Sequence, residues 1–275
     1  MLELNKLNKE ITKLNSNLDG ITDDLVSSID NYQSEYEKLL LKTNFDLDEG
    51  NLKSTISNFN KAQSLKPMSK LGFNDIALGH VKEYNAVTKG QLAFNASIGI
   101  TTDLKYTDIT IVKQLQTMDF SVFQAEASLL DERIKRELVN AIALNSPYQQ
   151  TVDNLSTSLL GSGKKNGTLA RFADTYMRTA LFGLSRTIDQ EIYDKVGGLE
   201  PTALYLYAGP VDKRTRDFCM RHVNKVYSRA KVEQFGIENG GGLNGFMSCG
   251  GYGCRHYLVL ISEEDAKDAA YQIIR

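Results

Sequence analysis

Between positions 4 and 39 the apolar residues return at intervals of three and four. Leu4, Leu7, Ile11, Leu14, Leu18, Ile21 and Leu25 are spaced 3,4,3,4,3,4, and Ile29, Tyr32, Tyr36 and Leu39 follow at 4,3,4,3. A mean spacing near 3.5 puts all of them on one face of an α-helix. The chain therefore opens with a helix roughly 55 Å long at 1.5 Å per residue, and its apolar stripe has to be covered. Two coverings are open: a second copy, giving a coiled coil and a homo-oligomer through residues 4–39, or the rest of the same chain. The two consecutive fours around Leu25 make a stutter, which locally unwinds a left-handed supercoil. Gly20 costs about 1 kcal/mol of helix propensity without interrupting the stripe. Residues 1–60 hold 6 Lys against 11 Asp or Glu, so this arm is acidic.

The remainder reads as mostly helical up to about residue 197 and as mixed beyond it. An amphipathic segment from about 51 to 66 ends at Pro67. Residues 73–160 are expected to be helical, with breaks near Gly90, at ASIGITTD (96–103) and at NSPYQQ (145–150). LLDERIKRELVNAIALN (129–145) places apolar residues at helical spacing and charges on the other face. GSGKKNG (161–167) reads as a flexible loop and domain boundary, and its spacing is not that of a phosphate-binding loop. ARFADTYMRTALFGLSRTIDQEIYDKVG (170–197) reads as one helix closed by Gly197 and Gly198. ALYLYAG (203–209) and YLVLI (257–261) have strand composition, and EEDAKDAAYQIIR (263–275) reads as a closing helix capped by Ser262.

The expected class is α+β. It comprises a coiled-coil-like arm (1–66), a helical domain (67–165) and a small α+β C-terminal domain (166–275). The absence of tryptophan and the four prolines, all after residue 66, fit a chain dominated by helices. No apolar run approaches the ~18 residues of a spanning helix, so no membrane is expected. A net charge of −2 argues against a polybasic membrane or nucleic-acid coat protein. The N-terminal residues do not form a secretory signal, and three cysteines cannot all pair, so a reducing compartment is expected.

Five of the six Cys and His residues lie between 219 and 256. Asp212 is placed to cap a short helix on which Cys219 and His222, three apart, share a face. Asn224 after it can adopt a left-handed turn. Cys254 and His256, two apart at the start of a strand, point to one side, and the glycines of CGGYGC let the backbone aim them inward. Two such pairs joined by a 31-residue loop have the form of a structural zinc site, C-x2-H then C-x-H. The expected ligands are Cys219, His222, Cys254 and His256, with Cys249 as the substitute. Four protein ligands leave no open position, so the zinc would be structural. The alternatives are ordinary buried Cys and His, or a Cys249–Cys254 disulfide. His80 is expected on the surface or in the core, not as a ligand.

Lys213, Arg214, Arg216, Arg221, Lys225, Arg229 and Lys231 fall within nineteen residues beside a single Asp. They read either as a solvated face or as a contact for an acidic partner or nucleic-acid phosphate. Without interleaved aromatic residues for base stacking, any DNA contact would be nonspecific.

The stretch from about 170 to 262 resembles the C-terminal domain of phage head morphogenesis proteins, the Mu protein F-like family of minor head proteins. Its elements occur here in order: RFADTYMRTALFGLSR, the strand and D-x-R-T-R of ALYLYAGPVDKRTR, Cys219–His222, NKVY (224–227), then Cys249 and CRH (254–256). His222 and His256 stand where the family has cysteine, each exchanging one zinc-ligand type for another. Cys249 stands where the family has histidine, two residues too far from Cys254, and the proline that usually precedes that element is absent. The resemblance covers about a third of the chain. It implies a non-enzymatic virion component of the head, present in the host cytoplasm during assembly. It further implies association with the portal or major capsid protein, with packaged DNA as a nonspecific contact, and a role in head assembly or DNA delivery.

Two other classes remain. A zinc nuclease or hydrolase needs an open metal position and a general base; Glu233, Glu238 and Asp217 are near in sequence, but nothing in their spacing assigns them that role. STS (156–158) is one element of ADP-ribosyl transfer chemistry, but no ExE pair follows. A coiled-coil adaptor or effector with a zinc-stapled domain is the third class.

Overall fold

The computed structural model describes residues 4–43, 57–58, 60–62, 64–65, 67–70, 72–100, 106–144, 146, 148–159, 161–162, 165–166, 168–238 and 244–275. Helices α1 (Leu4–Thr43), α2 (Phe73–Lys82), α3 (Tyr84–Ser97), α4 (Tyr106–Ala143), α5 (Tyr148–Leu159) and α6 (Thr168–Lys195) precede the sheet. The chain is mostly helical with a small four-stranded mixed sheet, which is the α+β class expected.

Contacts divide the chain into two compact units, each assembled from separated stretches. The first comprises Met1–Thr22, Lys82–Gln116 and Thr175–Arg275; the second comprises Asp23–Val81 and Thr117–Asp174. The stripe on α1 is covered by the chain itself. In the first unit Leu7, Ile11, Leu14 and Leu18 join one buried cluster with Tyr84, Val87 and Phe94 of α3 and Leu181, Leu184 and Ile188 of α6. In the second unit Leu25, Ile29, Tyr32 and Tyr36 are buried, and Tyr32 packs edge-on against Phe73 at 5.9 Å. His80 belongs to that core, edge-on to Phe123 at 5.5 Å, and burial pushes its pKa down to about 4.

Between residues 73 and 197 the helices meet the sequence reading except at Gly90, through which α3 runs unbroken; the break falls at Glu83 instead. Val87, Gln91 and Phe94, one or two turns apart, are all buried, and such tertiary packing outweighs the ~1 kcal/mol propensity of one glycine. Of the ASIGITTD break only residues 96–100, with the turn at 98–99, and of the 51–66 segment only residues 57–58, 60–62 and 64–65 fall within the described residues. GSGKKNG contains a short antiparallel pairing of β1 (Gly161–Ser162) with β2 (Lys165–Asn166). Helix α6 ends where Gly197 takes φ 99 and Gly198 N donates to Tyr193 O at 2.7 Å, a left-handed C-terminal closure.

The sheet has the order β5 (Tyr257–Ile261), β3 (Leu204–Ala208), β4 (Lys225–Ser228), β6 (Gln272–Ile274). β3 is antiparallel to both neighbours, and β6 runs parallel to β4. All five residues of β3 are buried, as expected of a central strand covered on both faces. Tyr205, Tyr207, Tyr227 and Tyr257 of the sheet, and Tyr193 of α6 beside Tyr205, are among the largest fully buried side chains. Each such ring contributes on the order of 1.5–3 kcal/mol from burial. Between the strands lie α7 (Asp217–His222), α8 (Arg229–Glu238), α9 (Gly245–Ser248) and α10 (Glu263–Asp268).

The closing segment corrects the expectation of a helix to residue 275. α10 is capped as expected, Ser262 Oγ accepting from Asp265 N at 3.0 Å, but it stops at Asp268. Ala270 turns left-handed at φ 54, and Ile273 and Ile274 then pair with Val226 and Tyr227. The β-branched pair completes the sheet edge that β4 leaves open. Among the described residues no helix is long and apolar enough to cross a membrane.

Candidate metal centre

Cys219 comes from α7, and Cys254 and His256 from the segment entering β5. All three are buried, and their ligand atoms lie within 4.8 Å of one another. Cys219 Sγ and Cys254 Sγ are 3.8 Å apart, and Cys254 Sγ is 3.7 Å from His256 Nδ1. Two soft sulfurs and an imidazole nitrogen converging in the buried interior can hold a metal ion. None of the chain's three cysteines forms a disulfide. Cys254 is held well below the ordinary thiol range, first by the hydrogen bond from Cys219, with burial opposing and His256 and Arg186 assisting. Its partner Cys219 is pushed up by that same hydrogen bond and by burial.

The glycine turn makes the convergence possible. Gly250 N donates to Cys254 Sγ at 3.3 Å, a contact that favours thiolate. A Cβ at Gly250 would press on Cys219 Sγ and lie 3.1 Å from both Cys254 Sγ and Tyr207 Oη. Gly253, at φ 62, turns the chain back toward Cys254.

Two of the five expected ligands are placed elsewhere. His222 shares α7 with Cys219, but positions three apart on a helix differ by about 60°, and an aromatic cluster captures the ring. His222 lies 4.3 Å from Phe218 and 4.7 Å from Phe235 between centroids. Its Nδ1 is 2.8 Å from Tyr227 Oη, and Nε2 is 4.0 Å from Glu238. Burial lowers its pKa, with Glu238 opposing. Cys249 is fully buried at the end of α9, at φ 45. Its thiol is pushed up to about 12, by burial first, and it is not among the three converging ligands.

The D-x-R-T-R residues frame the centre. Asp212 does not cap α7, whose first flanking residue is Arg216. It accepts instead from Arg214 N at 2.9 Å and from Arg255 Nη2 at 2.5 Å, and the Arg255 bond is the main reason its pKa falls to about 2. Thr215 Oγ1 accepts from Asp212 N and donates to Pro210 O, while Arg216 donates to Gly250 O at 2.7 Å. Asp19 of α1 gathers Arg178, Arg214 and Arg255. Asn224, at φ 62, makes the expected left-handed turn.

These contacts also place the seven basic residues. Arg214 and Arg216 are used as described. Arg229 donates to Gly198 O and pairs with Glu233 and Asp194, and Lys231 pairs with Glu238. Lys213 and Arg221 are exposed, and Lys225 is half-buried. Among the described residues no carboxylate joins the Cys–His group.

Two features had no distinct sequence signal. Arg186, buried on α6, donates to the carbonyls of His256 and Met247 at 3.0 Å each and to that of Cys254. The other is Asp189, one turn further, which accepts from Gln91 Nε2 at 2.5 Å and Asn95 Nδ2 at 2.6 Å. Ser185 donates to Gln91. The only hint was polar residues on the apolar side of a predicted helix.

Burial raises the Asp189 pKa to about 7, against the lowering effect of its amide donors. A folded pKa above the unfolded one contributes stability that is complete below about pH 4 and is lost as pH rises through about 7. Asp189→Asn is expected to flatten this dependence. In urea titrations the wild type should lose stability relative to the variant between pH 5 and 8, on the order of a few kcal/mol. An unchanged difference across that range would show that Asp189 does not titrate there.

No protein-family model matches the chain, and neither a curated protein nor a solved structure does.

Proposed function

We propose that this chain is a bacteriophage minor head protein: a non-enzymatic virion component that meets the portal or major capsid protein and acts in head assembly or DNA delivery. One observation carries the reading. The residues on which the resemblance rests, from Asp212 to His256, are joined to one another by hydrogen bonds, ion pairs and the Cys219–Cys254–His256 group. That linkage supports treating the motif as a folding unit and not as a chance spacing. Zinc is the metal this proposal assigns, since thiolates with imidazole suit it and it needs no redox partner.

The exposed Lys213 and Arg221 are the basic side chains best placed to touch packaged DNA nonspecifically. Self-association is part of the proposal. Through residues 4–39 it would have to exchange the intramolecular packing of Leu7, Leu14 and Leu18 for the same packing between copies, as in domain swapping.

Quantitative mass spectrometry of purified particles from a strain carrying the gene tests the reading. A fixed number of copies per particle, near portal multiplicity or in the tens, is the expected result. Absence from both particles and assembly intermediates would overturn it and bring the adaptor or effector class forward.

A further inference from the structure

Three converging ligand atoms leave a four-coordinate ion one position short, and neither Cys249 nor His222 supplies it. We propose, on the metal-centre reading above, that the phenol oxygen of Tyr207 is the fourth ligand. The case is one of distances. A tetrahedral zinc with Zn–S of about 2.3 Å and Zn–N or Zn–O of about 2.0–2.1 Å spaces its ligand atoms in a defined way. It sets S···S at about 3.8 Å, S···N at about 3.6 Å and S···O at about 3.5 Å.

The structure has Cys219 Sγ to Cys254 Sγ at 3.8 Å and Cys254 Sγ to His256 Nδ1 at 3.7 Å. Tyr207 Oη stands 3.3 Å from Cys219 Sγ and 3.7 Å from Cys254 Sγ. Four of the six edges of one tetrahedron are thus present, and Cys219 to His256 is bounded at 4.8 Å.

The phenol is also held for this position. Tyr207 is fully buried at the middle of the sheet, with its ring stacked on that of His256 at 5.3 Å and 27°. A Cβ at Gly250 would touch Tyr207 Oη and both sulfurs, so the three atoms face one small space beside a backbone that has no side chain to fill it. Two thiolates, a phenolate and a neutral imidazole around a dication carry one net negative charge. Arg186, buried against the carbonyls of Cys254 and His256, supplies the opposite charge. On binding, two S–metal bonds, one N–metal bond and the O–metal bond form, the phenol proton and the protons still on the thiols pass to the buffer, and the waters bound to the metal are released.

The test titrates the metal-free, reduced full-length chain with Zn2+. It follows the red-shifted absorbance of tyrosinate and measures affinity by competition with a chromophoric chelator; zinc, being d10, adds no absorbance of its own. One tyrosinate per bound zinc is expected in the wild type and none in Tyr207→Phe, with affinity for zinc at least 10-fold weaker in the variant. Stoichiometric zinc without tyrosinate overturns the role of Tyr207, even if Tyr207→Phe binds more weakly, because a phenol that only hydrogen-bonds sulfur would do the same. That outcome leaves the metal centre standing. If the wild type takes up no zinc at one equivalent, the metal-centre reading falls and this ligand with it. Should Tyr207→Phe not fold, the wild-type spectrum decides alone.

Discussion

Arg186→Met should lower the unfolding free energy by about 3–5 kcal/mol, because three carbonyls lose their buried donor. Methionine keeps most of the apolar stem, so the loss isolates the guanidinium. Arg186 is 5% exposed and donates to three carbonyls separated along the chain, those of Met247, Cys254 and His256. Without the arginine those carbonyls lose their charged donor, at about 1–3 kcal/mol each. Arg186→Lys should recover only part of the loss, since an ammonium cannot reproduce a planar fork. Chemical denaturation of the three proteins side by side gives the answer. A loss under about 1 kcal/mol in the methionine variant would mean that the loop holds its shape without α6.

Cys254→Ser should have the second-largest effect, and one that depends on metal. The wild type is expected to bind one zinc and to lose stability when a strong chelator is added; the variant should bind none and be indifferent to chelator. Saturating a site at 1,000 times its dissociation constant stabilises the folded state by about 4 kcal/mol, so the melting temperatures should separate clearly with zinc and converge without it. Serine keeps the volume of the side chain roughly constant, which limits any cavity effect. Equal stability of the two proteins, with no metal in the wild type, would overturn the metal centre.

Much of the fold was legible because local rules and tertiary packing agree. The strands around Tyr205 and Val259, the long helix over residues 170–195, the cap at Ser262 and the turn at Asn224 follow from composition and capping chemistry. The misses are cases where a long-range partner decided. Gly90 stays helical because Val87, Gln91 and Phe94 on either side of it are buried. Residues 272–274 become a strand because β4 offers them an edge. For the site, spacing identified Cys219, Cys254 and His256 but also nominated His222, whose ring goes to Phe218, Phe235 and Tyr227. Arg186 and Tyr207 are invisible to motif reading because each also meets groups far away in sequence, Arg186 the carbonyl of Met247 and Tyr207 the sulfur of Cys254. The apolar stripe of α1 announced a covering surface without saying whose, and helices α3 and α6 of the same chain provide it in the first unit.

That covering has a consequence for biosynthesis. Leu7, Ile11, Leu14 and Leu18 are buried with Leu181, Leu184 and Ile188, which are translated about 170 residues later. At 5–20 residues per second, roughly ten to thirty seconds pass between the synthesis of the first helix and that of α6, long after α3 has been made. During that interval its leucines have α3 to cover them but not α6, and nascent chains on one polysome carry such half-covered strips side by side. The leucine stripe is therefore the surface that a chaperone or a neighbouring nascent chain would have to cover while the molecule is being made.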